Sequence, residues 1–265
     1  MLFEMNLIVV FLLLLALLIL SGEAGRFLGG RGREVLNDGA KQQIGVVQGA
    51  LLGLLALLMG FTFAMGISRF DDRKRLVIEE ANAIGTAFIR AQILPEPERS
   101  QAQRLLRMYV NERVQSSTAL LNDPNQRKLE AEAEELFERV WQIAMSAVER
   151  DVHPDATTSF IESLNEMNDL RAGRNAMLAN HIPESALYLL VIVAALSIAF
   201  VGYGFGVSRL RGRPTLTTLC VVTTLVIIVI LDVDRPRRGL IRISQESLIE
   251  VQQRMSGAGT PHAPR

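Results

Sequence analysis

The chain has 265 residues, 49% of them hydrophobic, and its 28 basic and 28 acidic side chains balance to a net charge of zero. A neutral chain with no basic run interleaved with aromatics lacks the electrostatic footprint of a nucleic-acid binder, and a single cysteine, Cys220, rules out an intrachain disulfide. The histidines His153, His181 and His262 are scattered without metal-ligand spacing, so no metal and no cofactor are expected.

The charges are absent from four blocks, Leu7 to Leu20, Ile44 to Ile67, Pro183 to Val207 and Thr215 to Leu231, each of a length compatible with crossing a bilayer. The reading is therefore an all-α, polytopic membrane protein. It divides into a first span (1–21), a connecting loop (22–43), a second span (44–67), a helical bundle (68–182), a third span (183–208), a short loop (209–214), a fourth span (215–232) and a tail (233–265). The first block is read as a retained anchor rather than a signal peptide, because the residues before it include Glu4 and no Lys or Arg, although Gly22-Glu23-Ala24 offers small residues for a cut.

Ile44 to Ile93 contains no proline, with an apolar first half and a charged second half. One uninterrupted helix accounts for it, roughly 75 Å long at 1.5 Å per residue, of which a bilayer takes roughly 30 Å. Its remainder stands outside as a stalk. The small residues Gly45, Gly49, Gly53, Ala56, Gly60 and Ala64 line one face of the span, and close backbone approach through such faces is what associates helices in lipid. The third span repeats the device with Ala195, Ala199, Gly202 and Gly206. These two spans either pack together within one subunit or pack between subunits of an oligomer. Beside the small face lies a second stripe of Ala50, Leu57, Phe61 and Ser68. Facing an axis shared by several subunits, this apolar ring would gate ions by dewetting; facing lipid or a neighbouring helix, it would only pack.

On the stalk, Glu79 and Glu80 are read as ordinary helix-surface ion-pair residues rather than paired catalytic carboxylates, since Arg75 stands four residues before Glu79 and four after Asp71. With no nucleophile, base and orienting group together, the chain is not expected to be an enzyme. Asn82 is an amide in an otherwise small and apolar run, placed to face a wet lumen or to bond across a helix interface.

Prolines then punctuate the soluble part at 95, 97, 124, 154 and 183, leaving intervals one helix long. Asp123-Pro124-Asn125-Gln126 reads as a helix start with Asp123 as N-cap. Apolar faces recur at helical spacing over Ala102, Leu105, Leu106, Tyr109 and Val110. They recur again over Leu129, Ala133, Leu136, Val140, Ile143 and Ala147, and over Phe160, Leu164, Met167 and Leu170. Three helices and the stalk make a small bundle. No alternating β pattern and no internal repeat are visible. The tail is polar and moderately helical to Met255, and Ser256 to Arg265, rich in Gly, Pro and Ala, is expected to be disordered.

Four spans put the bundle and the C-terminus on one side, and ten Arg and Lys residues near the span ends there, against seven opposite, tip that side toward the cytoplasm. Where the fourth span ends, Asp232 and Asp234 stand among Arg235, Arg237 and Arg238. Anchoring at the membrane surface explains them, and an oxygen-ligand ion site is the sharper alternative, though two carboxylates are few for a cation.

Gly60-Phe61, followed at fixed spacing by Arg69-Phe70, resembles the stretch of the bestrophins that leads from the pore neck to the cytoplasm. The runs Arg69-Phe70-Asp71, Glu79 to Ala87, Leu94-Pro95-Glu96-Pro97, Ser163 to Met167 and Leu231 to Gly239 resemble a bacterial bestrophin-like family over most of the chain. The resemblance implies a homo-oligomeric ion channel, usually a pentamer, with the second spans around the pore and the bundle and tail in the cytoplasm. Its partners would be further copies of itself, the lipid bilayer and inorganic ions. The neck would fall on Gly53, Leu57 and Phe61, and Gly53 departs from the bulky residue expected there. No acidic run like the calcium clasp of animal bestrophins follows the fourth span, so calcium gating is not implied. The competing function is a membrane-anchored helical scaffold or sensor whose bundle binds a cytoplasmic partner.

Overall fold

The computed structural model describes residues 6–31, 38–118, 124–150, 154–208, 212–235, 241 and 243–257. Those residues form helices throughout and no strand: α1 (Leu7–Arg31), α2 (Asp38–Arg90), a 3-10 turn (Ala91–Ile93), α3 (Glu98–Thr118), α4 (Pro124–Arg150), α5 (Pro154–Ala179), α6 (Glu184–Ser208), α7 (Arg213–Val233) and α8 (Glu246–Gly257). Four helical stretches, containing α1, α2, α6 and α7, are long and apolar enough to cross a membrane.

α2 is the uninterrupted helix expected, with 53 residues. It ends through the 3-10 turn at Leu94, which is extended (φ −70°, ψ 151°) because the following proline disfavours helical backbone before it. α4 begins at Pro124, which has no N–H to leave unpaired in a first turn; its expected cap, Asp123, lies outside the described residues, as do Arg237, Arg238, His153, His262 and residues 258–265.

α1 differs from the expected boundary. It continues ten residues past the reading, to Arg31, so residues 22–31 are helix rather than connecting loop. Ser21, Gly22, Glu23 and Arg26 look like an exit into a loop, but Arg26 closes on Glu23 one turn back (Nη2 to Oε2, 2.7 Å), and the helix goes on.

The chain divides into two compact units. The first takes Met1–Arg69, His181–Arg235 and Gly239–Ile241. Its core is Leu14 and Leu18 of α1, Leu190, Ala194 and Ile198 of α6, and Leu216, Cys220, Ile227 and Ile230 of α7. α1 and α6 approach until their backbones touch. A Cβ added at Gly25 would overlap the Ala199 carbonyl, and one at Gly202 would overlap the Gly22 carbonyl, so only glycine fits at these crossings. The small stripe of α6, including Gly206, therefore packs on α1 and not on the small face of α2. The charge pattern hides this partner, because Gly22, Gly25 and Gly29 lie beyond the uncharged block, among Glu23, Arg26 and Arg31.

The second unit takes Phe70–Asn180, Pro236–Arg238 and Arg242–Arg265. The three apolar faces read from spacing meet in one core: Tyr109, Leu106, Val140, Phe160, Leu164 and Met167 are all fully buried. α8 completes it, with Leu248, Val251 and Met255 buried and Arg107 Nε donating to the Met255 carbonyl at 2.8 Å.

Candidate functional site

Within the first unit, α2 leans on its neighbours along one line. Gln48 Nε2 donates to the Phe200 carbonyl at 3.0 Å, Ser197 Oγ donates to the Leu51 carbonyl at 3.3 Å, and Leu55 is the one large apolar side chain of the span that is fully buried. Side-chain hydrogen bonds to a backbone carbonyl hold helices together where both sides are apolar. The rest of the span is uncovered. Leu57 is 54% exposed and Phe61 64%, and Ala50, Gly53, Ala56, Ala64 and Ser68 are exposed as well. Gly45, Gly49, Gly53 and Gly60 face nothing: a methyl group at any of them would meet no atom within 4 Å. The stripe of Leu57 and Phe61 and the small face thus form one broad surface that no described residue covers.

Asp232 and Asp234 are buried near the end of α7, and each carboxylate holds a backbone N–H. Asp234 Oδ2 accepts from Ile182 N at 2.8 Å with His181 Nδ1 at 3.4 Å, and Asp232 Oδ2 accepts from Ile241 N at 3.0 Å. Buried carboxylates are kept where they accept such bonds. These bonds fix the entry to α6 and the chain leaving α7; among the described residues, no group of three His, Cys, Asp or Glu side chains is arranged to hold a metal.

In the second unit, Asn82 is exposed, and its amide bonds no other described residue. Its neighbours Ala81, Ala83 and Ile84 are buried. The surface-pair reading holds for Glu79, whose Oε1 lies 3.7 Å from Arg75 Nε, with Asp72 rather than Asp71 as the other partner of Arg75 at 3.2 Å. It fails for Glu80. Glu80 is fully buried between two guanidiniums: Arg113 Nη2 lies 2.7 Å from Oε1, Arg174 pairs with Oε2, and Arg174 Nη2 donates to Gln245 Oε1 at 2.9 Å. Burial alone would raise the Glu80 carboxyl, but the charges of Arg113 and Arg174 outweigh it and hold the group below its ordinary value. Beside this cluster the Tyr109 hydroxyl is buried without a partner, and desolvation pushes it up to about 12, so the phenol stays neutral.

Arg73 was also missed. It is buried, and its Nε and Nη2 donate to the Met177 and Asn180 carbonyls at 3.2 and 2.7 Å, closing the C-terminal end of α5 where a cation is favoured. Register carries the signal for both residues: positions 73, 77, 80, 84 and 87 recur at helical spacing on the buried face of α2.

Among curated proteins none matches the sequence. Among solved structures, the chain is similar in fold to bacterial bestrophin homologues from Klebsiella pneumoniae. One matches with a TM-score of 0.65 at 16% identity, covering 98% of this chain and 100% of that one. Two substituted forms match at 0.66 and 0.68 with 14% and 12% identity, each covering 97% of this chain and 100% of the other. At these identities the likeness concerns the fold. The sequence itself matches the Bestrophin-like domain across residues 9–248, and the chain is a member of the Bestrophin-like family.

Proposed function

We propose that this chain is the subunit of a passive, homo-oligomeric ion channel in which α2 of each copy lines a common axis and Leu57 and Phe61 form an apolar gate. The observation that carries the reading is the uncovered stripe of α2: a span touched by its own subunit along one line, with Leu57 and Phe61 outward on one face. Family membership supplies the precedent, since the resemblance to bestrophins implies a ring, usually of five, with these helices inside. Rings of apolar side chains at a narrow point control ions through wetting and need no charge. Gly53, one turn before Leu57, would leave the ring at that level wide. The basic excess near the span ends supports a cytoplasmic bundle and C-terminus, and in this reading the spans sit in the inner membrane.

Two measurements test this. The mass of the complex in nanodiscs should be that of a single defined ring, and a monomer or dimer would remove the central pathway. In liposomes of defined salt, Leu57→Ala should raise ion flux several-fold over the unsubstituted protein. Identical flux with and without the substitution would sink the gate, and a chain that conducts nothing in a defined ring would be a membrane-anchored scaffold instead.

A further inference from the structure

Beyond the membrane-spanning stretch, the bundle covers α2 on every side except one. Between Phe70 and Arg90 the exposed residues are Asp71, Lys74, Arg75, Ile78, Asn82 and Ile89. All but Lys74 fall on a line whose steps alternate between four and three: 71, 75, 78, 82, 85, 89, with Gly85 half-covered by Val251. In the register of α2 the same line runs back through Ser68, Ala64, Phe61 and Leu57. Alternating steps of four and three average 3.5 residues, and a straight helix departs from such a line by about 20° every seven residues. In the proposed ring, a face left uncovered along a 3.5-residue line is the face that a helix winding left-handedly about the common axis would turn toward it.

The chemistry of the line changes along it. Asp71 is an exposed carboxylate, and Arg75 is held by Asp72 and Glu79. Ile78 and Ile89 are 40% and 63% exposed, and of the two line positions between them, 82 and 85, only Asn82 offers hydrogen-bonding atoms from a side chain. An amide presents a carbonyl oxygen to a cation and an N–H to an anion, and so replaces part of the hydration shell of either.

We infer that the ion pathway continues along this seam and that Asn82 is the selectivity-determining contact between two apolar positions, Ile78 and Ile89. The inference rests on the proposed channel. In a ring of copies each substitution at 82 is repeated around the axis, so one charge per subunit becomes a ring of charge. Asn82→Asp should raise the permeability of potassium relative to chloride about threefold or more, and Asn82→Lys should lower it by a similar factor, both read from reversal potentials in a potassium chloride gradient. The position is exposed, so neither variant disturbs the core; an unchanged elution volume of the purified complex checks that.

A second readout does not depend on charge selectivity. Cys220 is the one native cysteine and is buried, so Asn82→Cys adds a single accessible thiol. A trimethylammonium-ethyl methanethiosulfonate reagent should change the current of Asn82→Cys by at least about twofold, and should leave Gln142→Cys, exposed on α4, at the unsubstituted level. If the unsubstituted protein conducts while reversal potentials stay fixed and the reagent is without effect at position 82, the inference falls and the gate in the span stands. If the unsubstituted protein carries no ions, both fall together.

Discussion

The two units hold their cores together by opposite means. In the first, α1 and α6 meet backbone to backbone at Gly25 and Gly202, and α2 and α6 are joined by side chains bonded to carbonyls, Gln48 and Ser197. In the second, aliphatic and aromatic side chains from α2, α3, α4, α5 and α8 enclose a carboxylate gripped by two guanidiniums. Surrounded by apolar lipid, helices gain nothing from hiding leucines, so shape decides their pairing. In water, hiding leucines is the main gain, at about 1.5–3 kcal/mol each. A buried ion triad adds little to that sum, because desolvation offsets the attraction, but it makes the loss of any one member costly.

The largest expected effect follows from that asymmetry. Glu80→Gln leaves two guanidiniums buried against a neutral group and should destabilise the bundle by about 3–5 kcal/mol, read by denaturant unfolding of the detergent-solubilised protein. A loss under about 1 kcal/mol would mean that water reaches the triad. The pH response follows in sign. Glu80 titrates below its ordinary value of 4.5 when folded, so its contribution is fully present above that value and is lost as the pH falls through the lower folded one. The unsubstituted bundle should therefore weaken on acidification below about pH 4.5, and Glu80→Gln should lack that component.

Gly25→Val comes next. The added side chain overlaps the Ala199 backbone, which cannot yield as a flexible side chain would, and should cost about 3 kcal/mol or more, seen as a lower midpoint in thermal unfolding. A smaller effect belongs to Tyr109→Phe. Removing a buried hydroxyl that has no partner should leave the bundle unchanged or stabilise it by up to about 1 kcal/mol, and a clear loss would reveal a bound water. Least of all should come from Gly53→Ala, whose methyl group meets nothing among the described residues: the stability of the single chain should move by less than about 0.5 kcal/mol. A change in the mass of the assembly with that stability intact would place Gly53 at a contact between copies.

Gly202 and Gly53 mark the boundary between what was legible and what was not. Spacing alone marked both Gly202 and Gly53 as small-face residues, and nothing local to either distinguishes them. Gly202 has a partner because α1 continues through Gly22, Gly25 and Gly29; Gly53 has none among the described residues. Leu57 and Phe61 were readable as a stripe since helical periodicity is a local property, and their exposure is what a stripe without a partner must have. Asp232 and Asp234 were readable as a pair, but the N–H groups they hold, on Ile182 and Ile241, come from positions the pattern does not connect.

What the sequence determined by itself is the kind and order of the helices. Segregation of charge marks the spans, a 3.6-residue period marks the inward faces of α3, α4 and α5, and prolines mark the ends, all through forces that act within a few residues. Only the tertiary structure decided which small stripe meets which, that Glu80 lies inside and Glu79 outside, and that Arg73 closes α5. Those outcomes depend on surfaces brought together from distant parts of the chain. For α2, whose broad face meets nothing among the described residues, no local pattern could name a partner.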